Sequence, residues 1–284
     1  MATRNIKVKM QQRSDTAANW KSKNPVLAAG EIGYDTTNKI TKIGDGTSRW
    51  NELECFAKQP KITLENSTWA EIAEIAKSWR APLVFNVGDE KKITLTTGEE
   101  ITLVILGFNH DDWYDEEYDE DNTSPITFGM KHCLATRYPM NPTNTNNTGW
   151  ENSQMRASTM ATLFNQLPAD LRSIIKPASK PTSAGNKSTT IKWTHDKLFL
   201  LSDKEVTGTE ATTYSYEGTQ YEYFKHSNER RVKGLDNGNG SAYIWWLRSP
   251  SVDSVYYFRC VDSFGNVYGN GASGAYGVSF GFCI

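Results

Sequence analysis

Short stretches in which apolar and polar residues alternate dominate the first 55 positions of the chain. Residues 5–10 alternate in this way and predict a half-buried strand. The polar run 14–16 supplies capping groups for a short helix that reaches Trp20. A polar turn between two strand-like runs predicts a β-hairpin over 31–43. Because so small a segment buries little surface by itself, we expect it to oligomerise.

From residue 68 onward, helical and strand periods both occur. A capping-box spacing begins at Thr68, and apolar residues then recur at helical intervals as far as Trp79. Strict two-residue alternation on both sides of a Thr-Gly turn predicts a β-hairpin over 93–105. Two further helices are predicted, one over 153–167 and one that begins at Pro168.

The last third of the chain is predicted to consist mainly of short strands. They are expected at 197–201, 243–247, 255–261 and 278–282, after a polar loop at 181–190. This mixture of helices and strands predicts an α+β fold. We expect two domains, a small oligomerisation module over 1–58 and a larger ligand-binding domain over 59–284.

Composition and charge argue against several classes of partner. The chain has 284 residues, 38% of them hydrophobic, with 31 basic and 33 acidic side chains. A net charge near zero gives no overall field that would attract nucleic acid or an anionic membrane. No run is long and apolar enough to span a bilayer, so we expect no membrane insertion. No export signal precedes the first strand, so we expect the protein to assemble in the host cytoplasm.

Cysteines and carboxylates give weak indications of a metal site. Cys55, Cys133, Cys260 and Cys283 show no C-x-x-C spacing, which predicts reduced and mostly buried thiols. Residues 111–121 hold eight carboxylates in eleven positions, a composition that calcium could use. The glycine of an EF-hand loop is missing there, so a solvated loop is the favoured interpretation. We expect no metal and no cofactor.

A segment over 251–276 has the composition of an antibody paratope, rich in Tyr, Asn, Ser, Asp and Gly. We predict that it forms a binding face. Its predicted ligand-binding residues are Asp253, Tyr257, Arg259, Asp262, Ser263, Asn266, Tyr268, Asn270 and Tyr276. The alternative is a plain strand–turn–strand meander around Gly265–Asn266 with apolar residues packed inward. Both can hold, because alternate strand residues face opposite sides.

Trp245 and Trp246, followed by Arg248, raise the possibility of a sugar-stacking platform. Core packing is the favoured interpretation, since adjacent strand residues point to opposite sides. Catalysis would require a nucleophile beside a base, and none of the four histidines lies in a nucleophile motif. We therefore expect that the protein is not an enzyme.

Several separated motifs near the N-terminus occur in the order found in phage tail-fibre and tropism-determinant proteins. They lie at 12–20, 24–34, 42–46 and 50–51. Over roughly 1–56 the chain therefore resembles the N-terminal module of those proteins. The resemblance implies a trimeric, β-prism-like unit in the virion-proximal part of a fibre.

A second resemblance covers roughly 60–284. Its motifs lie at 107–112, 126–130, 149–156, 167–168, 196–202, 221–224, 245–250 and 277–284. They resemble a lectin-like family of gut bacteria and their phages, which implies a C-type-lectin-like fold related to sulfatase-modifying factors. Some such relatives are variable proteins of diversity-generating retroelements, in which a scaffold carries a short hypervariable segment near the C-terminus.

These observations together predict a homotrimeric receptor-binding protein at the tip of a phage or prophage tail fibre. Its expected partners are a bacterial surface protein or polysaccharide, further copies of itself, and other tail proteins through the N-terminal module. The expected location is the virion. Two alternatives stay open, a bacterial lectin-like protein that works without a virion and an enzyme related to the sulfatase-modifying fold.

Overall fold

A computed structural model describes residues 12–56, 62–114, 123–209 and 216–284. The fold is α+β, as predicted, and the chain divides into two compact units, 1–62 and 63–284. We call them the N-terminal and the C-terminal unit. The predicted strand over 5–10 and the predicted domain boundary between 58 and 59 lie outside the described residues. No helix in the described ranges is long and apolar enough to cross a membrane.

The described residues of the N-terminal unit, 12–56, form one short helix and a three-stranded sheet. Its elements are β1 (Arg13–Asp15), α1 (Ala17–Lys23), β2 (Ile32–Asp35) and β3 (Ile40–Ile43). Strand β2 lies in the middle, parallel to β1 and antiparallel to β3. Thr16 caps α1 by accepting a hydrogen bond from the Asn19 amide. The predicted helix and the predicted hairpin are both confirmed.

A pair of tryptophans forms the centre of the N-terminal unit. Trp20 and Trp50 stack with ring centroids 3.9 Å apart, and Leu27 and Leu53 complete the buried cluster. Gly33 of β2 lies against this pair, where an added Cβ would stand 2.5 Å from the Trp50 ring. A side chain at this position would therefore separate the strand from the core.

The first half of the C-terminal unit alternates helices and strands. Its elements are α2 (Trp69–Lys77), α3 (Ala81–Val84), β4 (Glu90–Thr94), β5 (Glu100–Gly107), β6 (Thr127–Met130), a π-helical segment (Met155–Met160), α4 (Ala161–Gln166), α5 (Ala169–Ile174), β7 (Ala178–Ser183) and β8 (Ile191–Asp196). The predicted capping box at the start of α2 is confirmed, because Thr68 and Glu71 exchange side-chain and backbone hydrogen bonds. The predicted hairpin is β4–β5.

Short strands and single helical turns make up the second half. They are β9 (Phe199–Leu200), α6 (Asp203–Thr207), α7 (Glu222–Lys225), two 3₁₀ turns (Asn228–Arg231 and Asp236–Gly238), β10 (Lys233–Gly234), β11 (Ala242–Tyr243), β12 (Trp245–Pro250), β13 (Tyr257–Val261), β14 (Val267–Gly271) and β15 (Phe280–Cys283). The central sheet has the order β4-β5-β6-β15-β9 and is antiparallel throughout. The last strand of the chain thus lies inside this sheet.

The predicted polar loop at 181–190 is confirmed over 184–190 and wrong over 181–183. Residues 181–183 belong to β7, which pairs antiparallel with β8 over its whole length. The strand includes Pro181 and three buried polar residues, Lys180, Thr182 and Ser183. Its polar side chains are buried because they find charged or hydroxyl partners inside the unit, so hydrophobic alternation does not reveal it.

Candidate functional site

The 251–276 segment folds as an antiparallel meander on one side of the C-terminal unit. Strand β13 lies between β12 and β14, and the turn between β13 and β14 includes Gly265 at a positive φ of 86°. Trp246 pairs with Cys260, and Cys260 pairs with Tyr268, so these three side chains share one face of the sheet. Strand β14 is the outer strand, and all five of its residues are partly exposed.

Tyrosine side chains gather around β14. We call this cluster the tyrosine face, and it consists of Arg137, Tyr138, Tyr243, Tyr268, Asn270 and Tyr276. The Asn270 side chain lies 3.5 Å from the Tyr268 hydroxyl and also bonds to Tyr276, whose ring packs edge-on against Trp246. Arg137 donates a hydrogen bond of 2.8 Å to the Tyr243 hydroxyl. Side chains from three separate parts of the chain therefore form one continuous polar and aromatic surface.

The hydroxyls of Tyr268 and Tyr276 stay protonated at neutral pH. Burial, followed by the nearby Cys260, raises the pKa of Tyr268 to about 12. Burial also raises the pKa of Tyr276, again with Cys260 as the next cause. A neutral phenol can both donate and accept a hydrogen bond, and its ring offers contact area at low entropic cost. The tyrosine face is thus suited to bind a polar ligand without carrying negative charge.

The nine predicted ligand residues occupy several different settings. Tyr268, Asn270 and Tyr276 come together on the tyrosine face. Phe258 and Cys260 point to the same side of the sheet as the tyrosine face. Tyr257 precedes Phe258 directly, so its side chain points to the opposite side, where it is 41% exposed. Asp253 is exposed in the loop between β12 and β13.

Three further predicted residues, Asp262, Ser263 and Asn266, belong to the turn between β13 and β14. The Asp262 carboxylate accepts hydrogen bonds of 2.8 Å from the backbone amides of Phe264 and Asn266. Burial by itself would raise the pKa of Asp262, but these hydrogen bonds outweigh it and hold the pKa below its usual range. The Asp262 carboxylate therefore shapes the turn, while Asn266 faces solvent.

Arg259 does not lie on an exposed surface. It is 7% exposed, and its Nε lies 3.2 Å from the Asp203 carboxylate at the start of α6. A buried carboxylate needs a cation beside it, and Arg259 supplies one. This placement differs from the sequence prediction, which could not show the pairing because 56 residues separate the two partners.

Sequence reasoning missed three members of the tyrosine face. Arg137 and Tyr138 follow β6, and Tyr243 precedes β12, so all three lie outside the 251–276 segment. Tyr138 reaches the face because its backbone exchanges two hydrogen bonds with Tyr276. No local spacing in the sequence indicates this contact, since it joins residues far apart in the chain.

Trp245 and its neighbour Trp246 both belong to the core. Trp245 and Trp246 are fully buried, and each indole N–H donates a hydrogen bond of 2.9 Å to a backbone carbonyl. The sugar-stacking platform considered from the sequence is therefore wrong, and core packing is confirmed. Trp246, which packs edge-on against Tyr276, gives the tyrosine face a buried support.

A buried ionic network anchors β12 to the rest of the unit. Arg248 of β12 forms a bidentate pair with Glu205, with distances of 2.5 and 2.8 Å. Lys180 of β7 lies 3.1 Å from Glu205 and also bonds to Asp111. Burial alone would lower the pKa of Lys180, but the two carboxylates reverse this effect and raise it. The charges in the network therefore hold one another in their ionised forms.

Thiol and metal chemistry find little support in the described part of the chain. All four cysteines are free, and Cys55 alone is exposed. Burial raises the pKa of Cys133 and of Cys260 to about 12, and it also raises the pKa of Cys283. Within the described ranges, no three His, Cys, Asp or Glu side chains are grouped to hold a metal ion. Most of the acidic stretch, 115–121, lies outside those ranges.

Comparison with known families assigns the larger part of the chain. Residues 127–284 match the model of a family described as a domain of unknown function, DUF6273, and this is more than half of the 284 residues. The chain belongs to the DUF6273 family. The tyrosine face lies entirely within the DUF6273 segment. The central sheet does not, because its strands β4 and β5 precede residue 127.

The N-terminal unit matches a different family. Residues 10–48 match the model of the major tropism determinant N-terminal domain. This match supports a protein of the phage tropism-determinant type with a receptor-binding role, and it suggests a virion component. No curated protein matches the chain.

A solved hyaluronidase trimer in complex with ascorbic acid shows a partial similarity. It is 23% identical, with a TM-score of 0.17, over 25% of this chain. The chain spans about a quarter, 24%, of that structure's own length. So low a score carries no argument about fold or function.

Proposed function

We propose that this DUF6273 protein is the receptor-binding protein of a phage or prophage tail fibre and contacts a bacterial surface molecule through the tyrosine face. The observation that carries the proposal is the tropism-determinant match over 10–48, followed in the same chain by an exposed tyrosine cluster on a rigid sheet. A fibre protein needs such a combination, with one part for assembly and another part for recognition.

The N-terminal unit would assemble a homotrimer and join it to other tail proteins in the virion. Within residues 12–56 its buried cluster has only four members, which supports a need for partner subunits. Three weak sites held together would raise the strength of attachment by orders of magnitude through their effective concentration. The proposal includes a β-prism-like form for this module.

The C-terminal unit would be a C-type-lectin-like domain that acts by binding and not by catalysis. Three of its cysteines are buried with raised thiol pKa values, which supports a role without cysteine chemistry. Segment 251–276 would be the part diversified by a retroelement. The placement of Tyr268, Asn270 and Tyr276 on one partly exposed surface supports this, because variation at these positions would change the groups offered to a ligand.

Binding of the labelled, full-length protein to a panel of bacterial strains tests this function. We expect attachment to a subset of strains. The double variant Tyr268→Ala/Asn270→Ala should reduce it at least about tenfold, which corresponds to about 1.4 kcal/mol. Because Tyr268 packs against the core of the C-terminal unit, binding is compared at a temperature at which thermal unfolding shows the variant to be folded.

Tyr256→Ala is the matched control, since Tyr256 lies in the same segment, is 55% exposed and stands outside the tyrosine face. It should bind like the unaltered protein. Failure to bind any strain, or full binding by the double variant, would rule out recognition through the tyrosine face.

A further inference from the structure

A cleft in the C-terminal unit shares no residue with the tyrosine face. Its volume is about 400 Å³, which lies in the range of small-molecule sites. We call it the aromatic cleft, and its lining includes His110, Asp112, Ser179, Trp193, Lys204 and Tyr216. None of these residues takes part in the receptor contact proposed above.

Two exposed aromatic rings border the cleft. Trp193 is 48% exposed and Tyr216 is 64% exposed, and their rings meet at 71° with centroids 6.2 Å apart. Trp193 lies on β8, and His195, two residues further on the same outer side, stacks on Tyr114 at 3.5 Å. On the inward side of β8, Thr194 and Asp196 are buried. Trp193 and His195 are therefore held by a packed strand while their rings face outward.

The floor of the cleft is rigid and electrically balanced. Asp111 and Glu205 line it, and both carboxylates are paired with the buried Lys180. Arg248 adds the second positive charge through its bidentate bond to Glu205. Two negative and two positive groups therefore satisfy one another below the cleft. The floor has no surplus charge with which to attract an ionic ligand.

The groups on the walls fit a polyhydroxyl compound better than an ion or a flat aromatic ring. Asp112 offers an acceptor and Lys204 a donor, and the Ser179 hydroxyl, which lies 3.2 Å from His195 Nδ1, has a further lone pair that can accept. Sugar hydroxyls can match such a mixture because each of them donates and accepts. The C–H face of a sugar ring is apolar and packs on the negative face of an aromatic ring. Two rings set at 71° cannot sandwich a flat base, but one of them can support a sugar.

We propose that the aromatic cleft binds a saccharide unit of a bacterial surface polysaccharide, with the sugar ring stacked on Trp193. The cleft would add a second, chemically different contact to the receptor-binding function. The protein would then recognise a common glycan through the cleft and a specific surface structure through the tyrosine face. Only the bacterial source of the glycan rests on the proposed function. The saccharide chemistry rests on the cleft itself.

Binding of the full-length protein to immobilised bacterial polysaccharides and lipopolysaccharides tests this inference. The unaltered protein should bind at least one of them. Trp193→Ala should weaken that binding at least about tenfold, a change of 1.4 kcal/mol or more. Trp193→Phe should retain most of it, because a ring face is still present. Phe264→Ala is the matched control, since it removes an 80% exposed ring elsewhere and should have no effect.

Three outcomes would overturn the inference in distinguishable ways. If the protein attaches to cells through the tyrosine face but binds no polysaccharide, the cleft proposal fails and the proposed function stands. If a polysaccharide binds and Tyr268→Ala abolishes binding while Trp193→Ala does not, the saccharide belongs to the tyrosine face. If neither cells nor polysaccharides are bound, both proposals fail.

Discussion

The two units of the chain bury very different amounts of apolar surface. In the described residues, the buried cluster of the N-terminal unit has four members, whereas that of the C-terminal unit has 47. Half of the small cluster is a single stacked pair, Trp20 and Trp50. The stability of the N-terminal unit therefore depends on one contact, while that of the C-terminal unit is spread over many side chains.

Within the described residues, the units also differ in whether they contain buried ion pairs. The ion pairs of the N-terminal unit, such as Lys23 with Asp15, are exposed to solvent. In the C-terminal unit Lys180, Glu205 and Arg248 form a network that is almost completely buried. Exposed pairs contribute little to stability, whereas breaking a buried pair leaves an uncompensated charge. The N-terminal unit should therefore be sensitive to the loss of an apolar contact, and the C-terminal unit to the loss of charge balance.

The largest effect is expected from Trp50→Ala. Removing a buried tryptophan costs about 3–5 kcal/mol, which is as much as a unit of this size has in total. Amides over 12–56 should then exchange with solvent as in an unfolded chain, while those of β5, β6 and β15 stay protected. Hydrogen exchange read by mass spectrometry resolves the two units separately. In the proposed trimer, light scattering should also show a fall to monomer mass.

Phe56→Ala is the control in the same unit, because Phe56 is 64% exposed and lies outside the buried cluster. It should leave the exchange pattern unchanged. Retained protection over 12–56 in the Trp50→Ala protein would show that contacts other than the tryptophan pair hold this unit together.

The second prediction concerns the free energy of unfolding when the buried charges of the C-terminal unit lose their balance. Arg248→Leu removes both bidentate bonds from the buried Glu205 carboxylate, and we expect a loss of about 3–5 kcal/mol in the free energy of unfolding. Lys92→Met breaks the exposed pair with Glu100 and should change it by less than about 1 kcal/mol. Urea unfolding curves measure both. Equal losses in the two variants would contradict the contrast between buried and exposed pairs.

Local sequence patterns were sufficient to predict an element where the residues that define it lie close together in the chain. The capping box of α2 and the alternation of β4–β5 each lie within a few residues, and both predictions are confirmed. Strand β7 was missed because the partners that allow its Lys180 to be buried are 69 and 25 residues away. Burial of a polar strand depends on the tertiary structure, which no short window of sequence contains.

The candidate site was likewise predictable from local sequence only in part. Composition identified a segment with binding chemistry, but composition does not say which side of a strand faces solvent. The register between β13 and β14 separates Tyr268 and Asn270 from Tyr257 and Arg259. Arg137 lies more than 100 residues from its partner Tyr243, so only the fold brings it to the tyrosine face.

The smallest of the expected effects concerns the pH dependence of the C-terminal unit. Glu217 is fully buried, and burial raises its pKa from 4.5 to about 7, although the Ser183 amide and the Ser249 hydroxyl donate hydrogen bonds that oppose the rise. Between pH 4.5 and 7 the folded protein therefore holds a proton that the unfolded chain has released. This contribution to stability is complete below pH 4.5, falls as the pH rises, and is lost above 7.

Glu217→Gln isolates this contribution, because the amide has nearly the same shape as the protonated acid and does not titrate. The difference in unfolding free energy between the unaltered protein and the variant should fall by up to about 3 kcal/mol from pH 4.5 to 7.5. Urea unfolding at one-unit steps of pH measures it. If the unfolding free energies of the two proteins depend on pH in the same way, Glu217 keeps its ordinary pKa. A falling difference would show that one buried carboxyl makes the C-terminal unit less stable as the pH approaches neutrality, a sensitivity that rests on charge and not on apolar contact.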